Sequence, residues 1–167
     1  MTGTERFRAG VLTMSDKGSR GERVDESGDI AFHMLEDQGF EITERSIVPD
    51  KEEDIISTLI DWCDNKKLSL IVTSGGTGLS PTDVTPQAMS KVIKFEVPGI
   101  AEAMRAASLL KTPHAMISRA MAGVRGTCLI INLPGSPKGV KENLEVVLPA
   151  LKHAISKLSG DMSDCAA

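Results

Sequence analysis

Two kinds of apolar pattern alternate along this chain: short apolar runs, and longer segments in which apolar residues recur every three or four positions. Short runs rich in apolar residues are typical of strands, and they occupy residues 9–15, 40–48, 68–72 and 126–135. Elsewhere apolar side chains recur every three or four residues and predict amphipathic helices, over residues 29–39, 50–66, 98–110 and 137–158 and from about Thr85 to Ile93. The second run is more polar, so we expect it near a sheet edge. This alternation predicts an α/β fold, a three-layer sandwich around a mostly parallel, doubly wound sheet.

The length and composition are those of a single globular domain. No internal repeat, linker or low-complexity segment divides the 167 residues, so we expect one domain over residues 1–167 with an ordered core at about 8–160. The net charge of −4 and the pI near 5.4 argue against general binding to nucleic acid or anionic membranes. Aromatic residues make up only 3%, which disfavours a base-stacking surface.

The cysteines and the N-terminus predict a cytoplasmic protein. Cys63, Cys128 and Cys165 are widely spaced and form no C-x-x-C pair, so neither a disulfide framework nor a zinc site is expected. The polar N-terminus lacks the apolar region of a secretory signal, and no apolar run is long enough to span a bilayer.

Small residues, hydroxyls and carboxylates follow every predicted strand. Ser15 and Asp16 follow the first and Asp50 follows the second, while residues 74–83 and 132–139 follow the third and fourth. In open parallel sheets, ligands bind beyond the carboxyl ends of the strands. The sequence therefore predicts a ligand site at this edge of the sheet.

The loop at residues 73–86, "TSGGTGLSPTDVTP", is the strongest single candidate for binding an anion. It has neither the lysine of a Walker loop nor the glycine spacing of a dinucleotide-binding fingerprint. It retains free backbone N–H groups and the hydroxyls of Thr73, Ser74, Thr77 and Ser80, which can surround an anion without lysine. The alternative is a long connection whose glycines only allow tight turns.

The carboxylates that follow the strands admit structural interpretations as well. Asp50 begins "DKEE", the pattern of a capping box with Glu53, and capping is the favoured interpretation from sequence alone. Asp83 lies too early to cap the next helix, for which Thr85 is the predicted N-cap. Ser136 precedes a proline and fits the N-cap of the last helix.

Basic and histidine side chains give weaker signals. Arg119 and Arg125 flank the segment "AMAGV" and are candidates for binding an anionic group, although surface arginines are usually only solvated. The histidines share no ligand spacing, so each is more often structural than functional.

Three segments together resemble one known family. They are "SDKGSRGERVDESG", "TSGGTGLSPTDVTPQA" and "TPHAMISRAMAGVRGTCLIINLPGSPKGVKENLE", and the resemblance spans about Arg8 to Gly160. In these motifs the chain is similar to the MogA/MoaB family of molybdenum-cofactor biosynthesis proteins, which includes the G domains of the plant enzyme and of gephyrin. Thr82 departs from a common version in which arginine precedes the aspartate.

The resemblance implies molybdopterin adenylyltransferase activity, in which ATP and molybdopterin give adenylylated molybdopterin and pyrophosphate with Mg²⁺. It also implies a homotrimer, with a molybdenum insertase as a candidate partner. The functional carboxylates of the family fall on Asp50 and Asp83, and its nucleotide loop follows Ser74. The remaining implied nucleotide and substrate contacts are Gly75, Gly76, Thr77, Gly78, Ser15, Ser118, Pro134, Gly135 and Ser136.

Elementary electrostatics is compatible with this chemistry. A phosphate monoester has a second pKa near 6, so the attacking phosphate is already mostly ionised at neutral pH and needs no general base. The obstacle is repulsion, since two unit charges about 4 Å apart interact by about 4 kcal/mol at an effective dielectric near 20. We therefore expect Asp50 and Asp83 to organise Mg²⁺. A non-catalytic molybdopterin-binding or scaffold trimer and a nucleotide phosphohydrolase remain as alternatives.

Overall fold

The computed structural model describes residues 6–165, and one six-stranded sheet in the order β2-β1-β3-β6-β5-β4 organises them. The strands are β1 Arg8–Met14, β2 Glu41–Val48, β3 Leu70–Ser74, β4 Phe95–Glu96, β5 Ala122–Arg125 and β6 Cys128–Leu133. Strands β1, β2, β3 and β6 are mutually parallel, and β2 lies at an edge. The mostly parallel α/β sheet and the edge position of β2 are therefore confirmed. The first part of the polar N-terminus, residues 1–5, lies outside the described residues.

Two strands that the sequence pattern did not predict extend the sheet on its far side. β5 runs antiparallel to β6, and β4 runs antiparallel to β5, with Phe95 opposite Val124. β4 is only two residues long, and β5 contains a glycine and an arginine among its four residues. Segments this short carry too little alternation for a period of two to be recognised.

The predicted helices are present, with ends that differ by a few residues. They are α2 Glu26–Asp37, α3 Glu52–Ile60, α4 Thr85–Val92, α5 Pro98–Leu109 and α6 Pro137–Leu158. A π-helical turn, Asp61–Asn65, continues α3. Two short helical segments were not predicted, α1 (Asp16–Ser19) and a 3-10 turn (Pro113–Ile117). Across residues 6–165, none of the helices combines the length and apolar character that a membrane span requires.

Helices cover both faces of the sheet, because side chains of its central strands alternate between two apolar clusters. Leu70 and Val72 of β3 pack in the cluster with α2, α5 and α6, while Ile71 packs in the cluster with α3 and α4. All three side chains are at most 1% exposed, and burying one such side chain contributes about 1.5–3 kcal/mol. The three-layer sandwich is therefore confirmed.

Candidate functional site

A cavity of about 780 Å³ opens at the carboxyl ends of β1, β2, β3 and β6. All four of the predicted strand exits contribute to it, as a parallel sheet requires. The predicted site residues that line this first cavity are Ser15, Asp50, Ser74, Gly75, Gly76, Asp83, Gly135 and Ser136. Both carboxylates therefore share one cleft with the glycines.

A second cavity of about 390 Å³ adjoins the first, and Ser136 lines both. It receives the other predicted site residues, Thr77, Gly78, Ser118 and Pro134. Much of its wall is apolar, with contributions from Ala101, Met104, Ala115, Ile117 and Ala120. The structure thus divides the predicted set between two neighbouring cavities separated by the glycine loop and the Pro134–Ser136 turn.

The glycine loop passes over the strand ends at distances that only glycine permits. Gly75 and Gly76 have φ values of +99° and +68°, in the left-handed region that side chains disfavour. A Cβ on Gly75 would lie 2.6 Å from the Met14 carbonyl oxygen, and one on Gly76 would lie 2.3 Å from Thr85 Oγ1. Glycine is therefore required at position 75 by a neighbouring backbone oxygen and at position 76 by the Thr85 side chain.

Thr85 holds this loop instead of capping the helix that follows it. The N-cap of α4 is Val84, and the Thr85 hydroxyl donates a hydrogen bond to the Gly75 carbonyl oxygen at 2.9 Å. The Thr85 N–H donates to the Gly76 carbonyl oxygen at 3.2 Å. The predicted capping role was wrong, because the returning loop provides a nearer acceptor for the hydroxyl.

Only two of the four loop hydroxyls reach a cavity. Ser74 lines the first cavity and Thr77 the second. Thr73 is 1% exposed and accepts a hydrogen bond at 3.0 Å from the Asn132 side-chain amide inside the sheet. Ser80 lines neither cavity. The prediction that all four surround an anion was therefore wrong for Thr73 and Ser80.

Asp50 faces the first cavity and does not cap α3. The N-cap of α3 is Lys51, and Asp50 Oδ2 accepts a hydrogen bond at 3.0 Å from the Asp16 N–H. The capping-box interpretation was wrong, since the tip of the neighbouring strand competes for this carboxylate. Burial raises the pKa of Asp50 above its ordinary value, and the negative charges of Asp16 and Asp83 raise it further, against the opposing effect of the hydrogen bond.

Asp83 closes a tight turn at the rim of the first cavity. Its Oδ2 accepts a hydrogen bond from the Ser80 N–H at 2.9 Å, and its own N–H donates to the Ser80 carbonyl oxygen at 2.9 Å. A Cβ on Gly78 would lie 2.8 Å from Asp83 Oδ2, so the glycine also leaves room for the carboxylate. The turn thereby positions an acidic group beside the cavity.

Protein oxygens surround the two candidate anion-binding arginines. Arg119 donates to the carbonyl oxygens of Gly78 and Asp83, and Arg125 forms a bidentate pair with Asp64 at 3.0 and 2.7 Å. Neither arginine lines either cavity. The structure gives both arginines structural partners in place of the anionic ligand that the sequence suggested.

The segment that leads into α2, together with the first turn of that helix, contributes cavity residues that were not predicted from the sequence. Arg23, Asp25 and Ser27 line the first cavity. Asp25 caps α2, accepts a hydrogen bond from Thr13 Oγ1 at 3.0 Å and pairs with an arginine of β2. The Ser27 hydroxyl donates to the Gly135 carbonyl oxygen at 2.8 Å. The pattern "DESG", an aspartate three residues before glycine, was the available N-cap signal for this helix start.

The donor set of the first cavity fits Mg²⁺ bound together with a nucleotide. Among residues 6–165, no group of three or more histidine, cysteine or acidic side chains is arranged to hold a metal ion. Mg²⁺ is usually bound by one or two carboxylates plus substrate phosphates. Asp50 and Asp83 supply two hard oxygen donors. Burial is the main cause of the raised pKa of Asp50, and the negative charges of Asp16 and Asp83, which a divalent cation would offset, add to it.

Known proteins are similar to this chain over most of its length. Residues 10–153 match the family described as "Probable molybdopterin binding domain". A "Molybdopterin adenylyltransferase" of Helicobacter pylori J99 is 41% identical over 91% of this chain and 88% of its own length. Gephyrin of Dictyostelium discoideum is 42% identical over 93% of this chain, which spans only 23% of gephyrin.

A solved structure has the same fold along nearly its whole length. The crystal structure of the molybdopterin biosynthesis enzyme MoaB from Thermus thermophilus is 51% identical, with a TM-score of 0.87, over 93% of this chain and 98% of that one. The family match, the adenylyltransferase relative and this structure agree with each other and with the fold. The chain therefore belongs to the MogA/MoaB family of molybdenum-cofactor biosynthesis proteins.

Proposed function

We propose that this protein transfers the adenylyl group of ATP to the terminal phosphate of molybdopterin, with release of pyrophosphate. One observation carries the proposal: two cavities meet at Ser136 and at the glycine loop, and two carboxylates face the larger one. A transfer reaction needs room for two substrates that meet at one point, which is what adjoining cavities with a shared wall offer. The named adenylyltransferase relatives support the same reaction.

The mechanism follows from charge and position. An oxygen of the molybdopterin phosphate attacks the α-phosphorus of ATP, the new P–O bond forms, and the bond from that phosphorus to the bridging oxygen of pyrophosphate breaks. The attacking phosphate is largely ionised at neutral pH, so neither carboxylate needs to remove a proton. The Gly75 N–H already donates to the Leu133 carbonyl oxygen at 3.2 Å, so the Gly76 N–H and the Ser15 and Ser74 hydroxyls are the groups that position the substrates.

Asp50 and Asp83 are the residues that would hold Mg²⁺, directly or through water. When bound, the ion would neutralise the negative charge that develops on the phosphate oxygens. Asp50 is positioned for this role by its hydrogen bond from Asp16, and Asp83 by its turn. Ser118 and the Pro134–Ser136 turn would contact the substrate portion in the second cavity.

We also propose that residues 1–167 act as one MogA/MoaB-like domain and assemble as a homotrimer in the cytoplasm. Leu110 and Met116, which lie close along the chain, are 89% and 68% exposed, and such apolar residues are candidates for burial between subunits. The three cysteines are free, which suits a reducing compartment. A molybdenum insertase is the candidate partner, and sedimentation analysis of the purified protein tests the trimer.

Pyrophosphate release from Mg-ATP, measured with and without molybdopterin, tests the reaction. Release that requires molybdopterin supports adenylyl transfer. Release without it would support a nucleotide phosphohydrolase, and no release in either mixture would favour a binding or scaffold protein. Mass-spectrometric detection of adenylylated molybdopterin identifies the product, and omission of the divalent cation tests the Mg²⁺ requirement.

A further inference from the structure

We propose that Arg119 is a positioning residue for adenylyl transfer, because its guanidinium group holds both ends of the turn at residues 78–83 and so fixes the location of the Asp83 carboxylate. The inference rests on the proposed function, in which Asp83 helps to hold the Mg²⁺ ion that neutralises the charge of the substrate phosphates. Arg119 lies between the 3-10 turn and β5, in a different part of the chain from the turn that it holds.

The Arg119 side chain contacts both ends of the turn. Arg119 Nε donates to the Gly78 carbonyl oxygen at 2.8 Å, and Nη2 donates to the Asp83 carbonyl oxygen at 2.7 Å. Nη1 reaches Gln87 Oε1 at 3.3 Å on α4. The Arg119 backbone N–H adds a hydrogen bond to the Thr77 carbonyl oxygen at 2.8 Å. The planar fork of arginine suits several acceptors at once, which a lysine ammonium cannot reproduce.

The other hydrogen bonds of the turn determine its shape, but they do not fix its position relative to the rest of the fold. The bonds between Ser80 and Asp83 begin and end inside the turn. Apolar packing gives little help, since residues 79–82 are exposed and the Leu79 side chain is 64% exposed. The link from Arg119 to the turn therefore connects a solvent-exposed segment to the body of the fold.

Arg119 acts through other residues, since it lines neither cavity. Of the residues whose carbonyl groups it holds, Asp83 lines the first cavity and Gly78 the second. A shift of the turn would therefore move a cavity wall and a carboxylate together. Misplacement of catalytic groups by about 1 Å can cost about 100-fold in rate.

Arg119→Lys is the test variant, and Arg125→Lys is its matched control. Arg125 also binds a carbonyl oxygen, that of Val92 at 3.0 Å, together with the Asp64 carboxylate, but neither of these partners lines a cavity. We expect kcat of Arg119→Lys to fall about 10- to 100-fold, with a smaller change in KM for ATP. Arg125→Lys should keep the kcat of the unmodified protein. Circular dichroism and thermal melts check that both variants are folded at the assay temperature.

Hydrogen exchange and metal binding provide readouts that do not depend on turnover. In Arg119→Lys, amides of residues 78–83 should exchange faster than in the unmodified protein, while Arg125→Lys leaves them unchanged. Mn²⁺ affinity, measured with a non-hydrolysable ATP analogue, should weaken only in Arg119→Lys.

The outcomes separate this inference from the proposed function. If the unmodified protein releases no pyrophosphate, the proposed function fails, while exchange at residues 78–83 still tests the role of Arg119. Unchanged exchange in Arg119→Lys would overturn the inference. So would a kcat equal to that of an active unmodified protein, or an equal loss of kcat in Arg125→Lys.

Discussion

Asp16 and Asp50 exchange hydrogen bonds between backbone and carboxylate across the ends of β1 and β2. The Asp16 N–H donates to Asp50 Oδ2 at 3.0 Å, and the Asp50 N–H donates to Asp16 Oδ1 at 2.9 Å. Each carboxylate is therefore oriented by the backbone of the other residue. This reciprocal pair places the Asp50 side chain at the mouth of the first cavity before any ligand arrives.

Removing the Asp16 carboxylate should loosen this arrangement. Asp16→Ala deprives the Asp50 N–H of its acceptor, and we expect a loss of about 1–3 kcal/mol in the free energy of unfolding. Asp16→Asn retains an oxygen at the same place and should lose less stability and less turnover. Urea denaturation and pyrophosphate release measure the two effects. Equal losses in both variants would show that the hydrogen bond does not position Asp50.

Asp50→Asn should stabilise the fold at neutral pH while removing activity. The pKa of Asp50 is raised in the fold from its ordinary value of 3.8, so the unfolded chain loses this proton first as the pH rises. Stability relative to the unfolded chain therefore falls as the pH rises from about 3.8 through the folded pKa, and the loss persists at pH 7. Asparagine carries no charge and keeps an acceptor for the Asp16 N–H.

Thermal melts at several pH values measure this effect. We expect the melting temperature of Asp50→Asn to exceed that of the unmodified protein at pH 7, by about 2–4 °C for each kcal/mol of relieved burial and repulsion. The difference should vanish well below pH 3.8, where Asp50 is protonated in both the folded and the unfolded state of the unmodified protein. A variant that is less stable at pH 7 would contradict the assignment of a partly buried, repelled charge to Asp50.

Asp83→Asn should abolish adenylyl transfer in a folded protein. The amide oxygen can still accept the hydrogen bond from the Ser80 N–H, so the turn is retained while the charge is lost. We expect turnover to fall by at least about 100-fold, the scale of losing one electrostatic group in an active site. Asp37→Asn, an exposed change outside both cavities, is the control. Retained turnover in Asp83→Asn would remove Asp83 from the mechanism.

Gly76→Ala should be far more damaging than Gly21→Ala. Both glycines have positive φ, +68° and +74°, so each substitution carries the backbone strain of about 1–2 kcal/mol. At Gly21 nothing lies within 4 Å of an added Cβ, whereas at Gly76 the Thr85 hydroxyl lies 2.3 Å away. Chemical denaturation compares the two variants. Similar stabilities would show that the Thr85 side chain can move away from the added Cβ at little cost in free energy.

The hydrophobic pattern was sufficient for the central strands and the long helices. Strands β1, β3 and β6 are buried runs, and α6 has the predicted bounds Pro137–Leu158. The Ser136 N-cap is also as predicted, with its hydroxyl accepting a hydrogen bond from the Gly139 N–H. The pattern failed at β4 and β5, where sheet pairing stabilises segments too short to show a period.

Local capping rules failed where a partner from elsewhere in the chain was closer. Asp50 has a capping-box sequence, yet Asp16 from the adjacent strand end pairs with it. Thr85 fits an N-cap, yet its hydroxyl serves the glycine loop. In both cases a tertiary hydrogen bond replaced the local one. The partner in that bond is distant along the chain, so the neighbouring residues do not reveal it.

The sequence by itself determined the order of the long helices and the parallel strands and the accumulation of small and acidic residues at the strand ends. These follow from side-chain polarity and local periodicity, which act over a few residues, whereas the family was indicated by the resemblance of three motifs. Only the tertiary structure decided that the predicted site residues line two cavities, that Asp16 orients Asp50, and that Arg119 holds the turn bearing Asp83. Such contacts join residues far apart along the chain, so they depend on how the packed layers bring those residues together.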